Sequence, residues 1–275
     1  MQGCAASQSY GREARKMKQK QSLIETYNDY FDIEIADTPA LLRESFALRY
    51  QVYCVENAFE NAAEFPDQLE TDAFDRRAVH GVVRYRPTDF VVATVRLVLP
   101  DPENASVPFP IERNCAASFA ASGLSAGMLP RRSLAEISRF AVSKELKRRA
   151  GEAETISGVG PDPDAYIGPI NNGKRLIPHV TLGLFAAIVQ MSAANNITHW
   201  YAVMEPSLLR LLTRFGIEFT PIGEPVDYHG LRQPCFGSVD QVLGGIWEKR
   251  QDVWELITGD GADWPPPAKY STASR

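Results

Sequence analysis

Residues 133–142 read Ser-Leu-Ala-Glu-Ile-Ser-Arg-Phe-Ala-Val, and three of them sit badly in an ordinary core strand. The run alternates, is rich in β-branched and aromatic residues and follows a Pro-Arg-Arg turn at 130–132, so it predicts a buried β-strand. Glu136, Ser138 and Arg139 interrupt it. A charge in such a strand costs several kcal/mol unless it is paired or put to use. On a regular strand Glu136 and Ser138 share one face and Arg139 points the other way, unless a bulge intervenes. One reading is a structural Glu–Arg pair inside a sheet. The sharper one is a catalytic strand, on which a carboxylate lifted towards neutrality by burial takes up a proton.

The rest of the chain must position that strand. Phe31-Asp-Ile-Glu-Ile alternates as a first strand, and Thr38-Pro39 then opens a helix as N-cap and first-turn proline. An acid-rich loop over 56–75 contains Glu70-Thr-Asp72-Ala-Phe-Asp75. Runs at 79–85 and 90–99, joined by Arg86-Pro-Thr-Asp, predict a hairpin whose second strand carries Val92, Thr94, Arg96 and Val98 on one face. A Gly-, Pro- and Asp-rich stretch extends the region from 143 to 177 as an insertion. An apolar helix over 178–195, a strand over 198–204, a helix from Pro206 ended by Gly216, strands near 218–221 and 231–239 and a final helix over 240–256 complete the order. The organisation expected is a flexible N-terminal arm (1–28), one domain (29–257) and a disordered tail (258–275). Strands alternating with single helices after a central meander predict an α/β fold, a mixed central sheet with helices on both faces.

Composition narrows the function classes. The chain has 275 residues and a net charge of −5, with no basic footprint for nucleic acid. Cys4, Cys54, Cys115 and Cys235 are scattered, without the Cys/His spacing of a metal site, which points to reduced thiols in a cytoplasmic protein. No metal is expected. The N-terminus lacks the apolar core of a secretory signal, and the longest apolar run is interrupted by Thr181, Gly183 and Gln190, so no transmembrane segment is expected.

The polar residues, taken in order, carry a resemblance. Arg49 on the first long helix is followed by Tyr53 and Phe59, then by Glu70-x-Asp72-x-x-Asp75, then by Arg96 late in a central strand, then by Glu136-x-Ser138-Arg139-Phe140. This pattern resembles the acyl-homoserine-lactone synthases and N-acyl amino acid synthases, a branch with the GNAT (acyl-CoA N-acyltransferase) fold. The resemblance covers residues 30–142. The 143–177 insertion and the apolar helix after it look closer to acyltransferases associated with PEP-CTERM/exosortase systems. Phe59 stands where lactone synthases usually carry tryptophan, a departure in the amine pocket. Arg148-Arg-Ala-Gly151-Glu-Ala153 formally fits the pyrophosphate-loop pattern of acetyl-CoA enzymes, but an irregular stretch follows where a helix should begin.

The resemblance implies a GNAT-like acyltransferase that moves a fatty acyl group from acyl carrier protein, or from coenzyme A, to the amine of an amino acid or a similar acceptor. No cofactor is bound permanently; acyl-phosphopantetheine is the donor substrate. N-acylation needs a base for the ammonium proton and a cradle for the oxyanion. Glu136 is the candidate base, and backbone N–H groups around a bulge at Ser138 the candidate cradle, with Arg139 beside them. No serine or cysteine has a recognisable nucleophile setting, which favours direct attack over an acyl-enzyme. Arg49, Tyr53, Phe59, Asp72, Asp75, Arg96 and Phe140 form the expected substrate side. Asp72 and Asp75 either hold the substrate ammonium or fix the arginines; Arg96 and Arg139 either bind a substrate carboxylate or form buried ion pairs. Lys144, Lys147, Arg148 and Arg149 are a candidate docking patch for an acidic carrier protein, or simply a solvated face. A lactone synthase using S-adenosylmethionine and a non-catalytic module that binds acyl chains or carrier protein are the alternatives.

Overall fold

The computed structural model describes residues 22–122, 130–144, 146, 157, 159 and 176–268. Ser22 caps the first helix, α1 (Leu23–Asn28): its Oγ accepts from the Glu25 N–H, while the Glu25 carboxylate accepts from the Ser22 N–H. Tyr27 of α1 is buried in the main core, so residues 22–28 belong to the folded body and not to the arm expected over 1–28. Residues 1–21 of that arm lie outside the described residues. Thr38 caps α2 (Pro39–Tyr50) by accepting from the Leu41 N–H at 3.2 Å, as its sequence predicts.

Among the described residues, eight strands form the sheet: β1 (Phe31–Ile35), β2 (Ala78–Tyr85), β3 (Phe90–Val98), β4 (Leu134–Val142), β5 (His199–Met204), β6 (Thr220–Pro221), β7 (Val226–Asp227) and β8 (Leu231–Ser238). Their order is β1-β2-β3-β4-β5-β8-β6, with β7 also paired to β8. Two antiparallel arms meet at one parallel pair, β4–β5, whose register runs only from Leu134↔His199 to Ile137↔Ala202. Beyond it β4 follows β3 to Val142 while β5 follows β8 to Met204. The sheet therefore opens into a V at Ile137. Short helices α3 (Pro110–Asn114) and α4 (Ala116–Ser122) cover the sheet, Ile111 packing with Val98, Leu134 and Tyr201.

Two bulges decide which face a side chain meets. Between β2 and β3 the pairing jumps from Val83↔Ala93 to Arg84↔Val91, making Val92 the extra residue. Val92 thus joins the core with Ala93, while Val91 packs with Val82 and Leu42. That departs from the alternation expected over Val92, Thr94, Arg96 and Val98. Between β3 and β4 the pairing jumps from Arg96↔Ser138 to Thr94↔Ala141, so two residues, Arg139 and Phe140, oppose one. Arg139 takes a left-handed backbone, φ 50°.

Helix α5 (Leu176–Ala194) backs one face of the sheet and α2 the other. By length and composition α5 is apolar enough to cross a membrane, yet 89% of its most apolar window is buried within the fold. It is a core helix. After α6 (Pro206–Arg214), the helix expected over 240–256 is split into α7 (Val239–Lys249) and α8 (Gln251–Thr258), with Arg250 at φ −148°, ψ 79°. Trp247 and Trp254 would stand about 10 Å apart along an unbroken helix; the break folds them edge to face at 4.5 Å. Trp264, in the expected tail, donates to Asp240 at 2.9 Å and packs on the core.

Gly183 of α5 faces Tyr27 of α1. A Cβ there would lie 2.0 Å from the Tyr27 hydroxyl and 3.1 Å from Val83 Cγ2. That hydroxyl has no hydrogen-bond partner among the described residues. Gly183→Ala is therefore expected to destabilise by about 1–3 kcal/mol through overpacking, outweighing the ~1 kcal/mol gain in helix propensity. Tyr27→Phe should restore part of that loss in the double variant, read from chemical-denaturation midpoints.

Candidate active site

The V between β4 and β5 is the candidate site, because it is where residues of both arms line one cavity. Ile137, Ser138, Arg139 and Phe140 line it from β4; Val203, Met204, Glu205 and Leu208 line it from β5 and the start of α6. The Arg139 bulge gives the β4 wall its chemistry. The extra residue turns Arg139 onto the face of Glu136 and Ser138, so three polar side chains meet where strict alternation allows two. A non-glycine residue held left-handed costs on the order of 1 kcal/mol or more, and the ion pairs made by Arg139 offset it.

Those pairs belong to a network buried under the cavity. Arg49, fully buried on α2, donates Nε to Glu70 at 2.5 Å and grips both Asp75 oxygens at 2.7 and 3.1 Å. Arg96 of β3 sets Nη1 between Asp72 (2.6 Å) and Asp75 (2.8 Å), and its Nε donates to Ser138 Oγ at 3.0 Å. Arg139 holds Glu70 through Nη2 at 2.8 Å, reaches Glu60 and Asp72 at 3.4 Å and lies over the Tyr53 ring at 4.9 Å. Asp72 and Asp75 also close a capping box on the 3-10 turn 73–77, which fixes the acidic loop. Burial alone pushes the Glu70 carboxyl up, but Arg49 and Arg139 outweigh it and hold it down at about 2. Asp75 is likewise held well below the carboxylate range, by Arg49 and Arg96 against burial. His80, behind them, is pushed down to about 4 by burial and the Arg49 charge, and stays neutral.

Glu136 stands apart from this pairing. Its side chain is buried in the cavity wall, and Oε2 accepts the Ile111 N–H of α3 at 2.8 Å. Burial pushes its pKa up to about 8, against the opposing pull of that N–H and of Arg96. A carboxyl titrating near 8 can give up or take a proton close to neutral pH.

The expected residues divide into two layers. Tyr53, Asp72, Arg96, Glu136, Ser138, Arg139 and Phe140 line the cavity. Arg49 and Asp75 lie beneath it in the ion-pair network, and Phe59 stands behind His229, stacked on its ring at 5.1 Å. Of the two roles open to Asp72 and Asp75, both carboxylates here fix arginines; Arg96 and Arg139 make the buried ion pairs rather than standing free. Lys147, Arg148 and Arg149, and the 148–153 motif, lie outside the described residues; Lys144, whose N–H donates to Glu56, does not line the cavity. The sequence reading missed Glu205, Tyr228, His229 and Arg232, which line the far wall. Their one signal was an arginine set in a strand, as at Arg96.

A model of the GNAT acetyltransferase domain matches residues 48–156, less than half of the chain but including β2, β3 and β4. No curated protein matches. Among solved structures, the fold is similar to the acyl-homoserine-lactone synthase LasI, with 16% identity and a TM-score of 0.53 over 80% of this chain and 95% of that one. It is similar to TofI in a ternary complex with an inhibitor and MTA (18% identity, TM-score 0.52, 78% and 96% covered). A third likeness is to BjaI, a CoA-dependent acyl-homoserine lactone synthase seen with SAM and isopentyl-CoA (19% identity, TM-score 0.52, 86% and 91% covered). At these identities the likeness is one of fold. The chain has the GNAT acyltransferase fold: a mostly antiparallel mixed sheet flanked by helices, in the form found in these synthases.

Proposed function

We propose that this protein is an N-acyltransferase that moves a fatty acyl group from the phosphopantetheine thioester of acyl carrier protein to the amine of an amino acid or similar acceptor, by direct attack. The observation that carries this reading is Glu136: a buried carboxyl with a pKa near 8, anchored by one N–H in the wall of a V-shaped cleft. An ammonium is no nucleophile. Glu136 takes one ammonium proton, the freed nitrogen attacks the thioester carbonyl and the C–N bond forms; as the C–S bond breaks, the nitrogen's second proton passes to the departing thiolate, leaving amide and thiol. Backbone N–H groups around the Arg139 bulge stabilise the oxyanion. Holding amine and thioester in line supplies roughly 7–11 kcal/mol of the barrier. The acyl chain fits the apolar wall of Phe140, Phe185, Val203 and Leu208.

Acyl carrier protein is preferred as donor on the basic run Lys144, Lys147, Arg148 and Arg149; acyl-CoA is the other donor. A cytoplasmic setting fits the buried free thiols of Cys54, Cys115 and Cys235. Association with a PEP-CTERM/exosortase system rests on the resemblance of the 143–177 region and α5. The fold shared with BjaI favours a second reading, lactone synthesis from S-adenosylmethionine. Mass spectrometry of lipid extracts from cells overexpressing the protein decides. A new N-acyl amino acid or N-acyl amine supports the proposal, an acyl-homoserine lactone the second reading, and no new lipid a non-catalytic binding module.

A further inference from the structure

We propose that Arg232 binds a carboxylate on the acceptor and so selects amines that carry one, an inference that rests on the acyl-transfer reading above. Among the described residues three arginines line the cavity: Arg96, Arg139 and Arg232. The first two each share at least two protein carboxylates and belong to the network on the β4 side. Arg232 comes from β8, in the opposite arm of the V. Its side chain is only 11% exposed, and its single carboxylate contact among the described residues is Glu205, 3.1 Å from Nη1. Glu205 in turn accepts from the Ser157 hydroxyl. One corner of the guanidinium fork is thus engaged. The Nε/Nη2 edge has no partner among the described residues, and that edge matches a carboxylate in bidentate geometry.

The opposite wall supplies the complement. Glu136 lines the same cavity, as does Asp72, which keeps 27% of its side chain exposed while pairing with Arg96 and Arg139. A cavity with an arginine edge on one wall and the Glu136 carboxyl on the other has the charge pattern of a bound amino acid: carboxylate to Arg232, ammonium towards Glu136. Arg96 and Arg139, the arginines first suggested for the carboxylate, are already held.

The test compares matched acceptors that differ only by a carboxylate: L-tyrosine with tyramine, L-leucine with isoamylamine, L-phenylalanine with phenethylamine. Each is assayed with acyl-ACP and acyl-CoA in the wild type, Arg232→Gln and Arg232→Lys. The wild type should favour the amino acids. Arg232→Gln should raise KM for them by roughly 10- to 100-fold, leave KM for the decarboxylated amines and the kcat for both nearly unchanged, and so abolish the preference. Arg232→Lys, which keeps the charge and the Glu205 pair but loses the fork, should fall between. A wild type that favours the amines, an equal rise in KM for both classes, or no change in Arg232→Gln would overturn the inference. If no acceptor is acylated, the acyl-transfer reading fails on its own, and calorimetric binding of the same amino acids judges Arg232. Binding lost in Arg232→Gln sustains it; binding equal in the two proteins, or absent in both, removes it.

Discussion

Arg49→Met is expected to lower the unfolding free energy at pH 7 by about 3–5 kcal/mol, the largest stability loss of any single substitution considered. Arg49 is fully buried and answers two buried carboxylates with three short hydrogen bonds, to Glu70 and to both oxygens of Asp75. Methionine fills most of its volume, so the loss comes from charges left without a partner and not from a hole. Arg139 still holds Glu70 and Arg96 still holds Asp75, which keeps the variant foldable. The pH dependence follows from the sign of the shifts. Glu70 and Asp75 have folded pKa values below their unfolded ones, so their contribution is present above about pH 4 and is lost as pH falls through the folded value, about 2 for Glu70. Without Arg49 those shifts shrink, and the gap between wild type and variant should narrow steadily from pH 5 towards about pH 2. Asp75→Asn added to Arg49→Met should cost much less than the two single losses summed. Urea denaturation across that pH series reads all of this; simple additivity and a pH-independent gap would mean the network is not coupled.

Glu136→Gln is expected to lower kcat for acyl transfer by about 10²- to 10⁴-fold with little change in the KM for the amine. Glutamine keeps the shape of the side chain and an oxygen to accept the Ile111 N–H, so the wall of the cavity survives. Only the capacity to take a proton goes. In the wild type, kcat/KM should climb with pH and level off above about 8, where the buried carboxyl ionises; in the variant that limb should vanish. Stability should move the other way. The folded pKa of Glu136 lies above its unfolded value of 4.5, so the group costs nothing while both states are protonated, and stability is lost progressively as pH rises from about 4.5 to about 8, where the folded carboxyl ionises too. Glu136→Gln, which does not titrate, should therefore gain on the wild type across that window and hold the gain above it. An unchanged rate together with a lower melting temperature would assign Glu136 a purely structural part.

Much of this arrangement is legible in local sequence. Thr38-Pro39 marks the start of α2, the alternation at 134–142 marks β4, and the out-of-place Glu136, Ser138, Arg96 and Arg139 all line the candidate cavity. The assembly is not. The β4 bulge puts an arginine where glycine is the usual left-handed residue, so no local signal announces it. What stabilises it is Glu70, 69 residues away in the chain, and the energy of that pair is a tertiary quantity. The Val92 bulge and the break at Arg250 are similar: neither has a proline or glycine to mark it, and each is settled by packing, of Val92 into the core and of Trp254 against Trp247. Arg232 escaped notice because its partner Glu205 also opens α6, where it reads as a helix start.

The most direct test of the account is a stoichiometry. Purified protein is given an acyl thioester with and without an amino acid acceptor, and free thiol and amide are counted in the same reaction. Direct N-acyl transfer requires thiol and amide to appear in equal amounts, only when the amine is present, with the mass of the protein unchanged throughout. Thiol released without amine, an acylated protein, or thiol in excess of amide would contradict it.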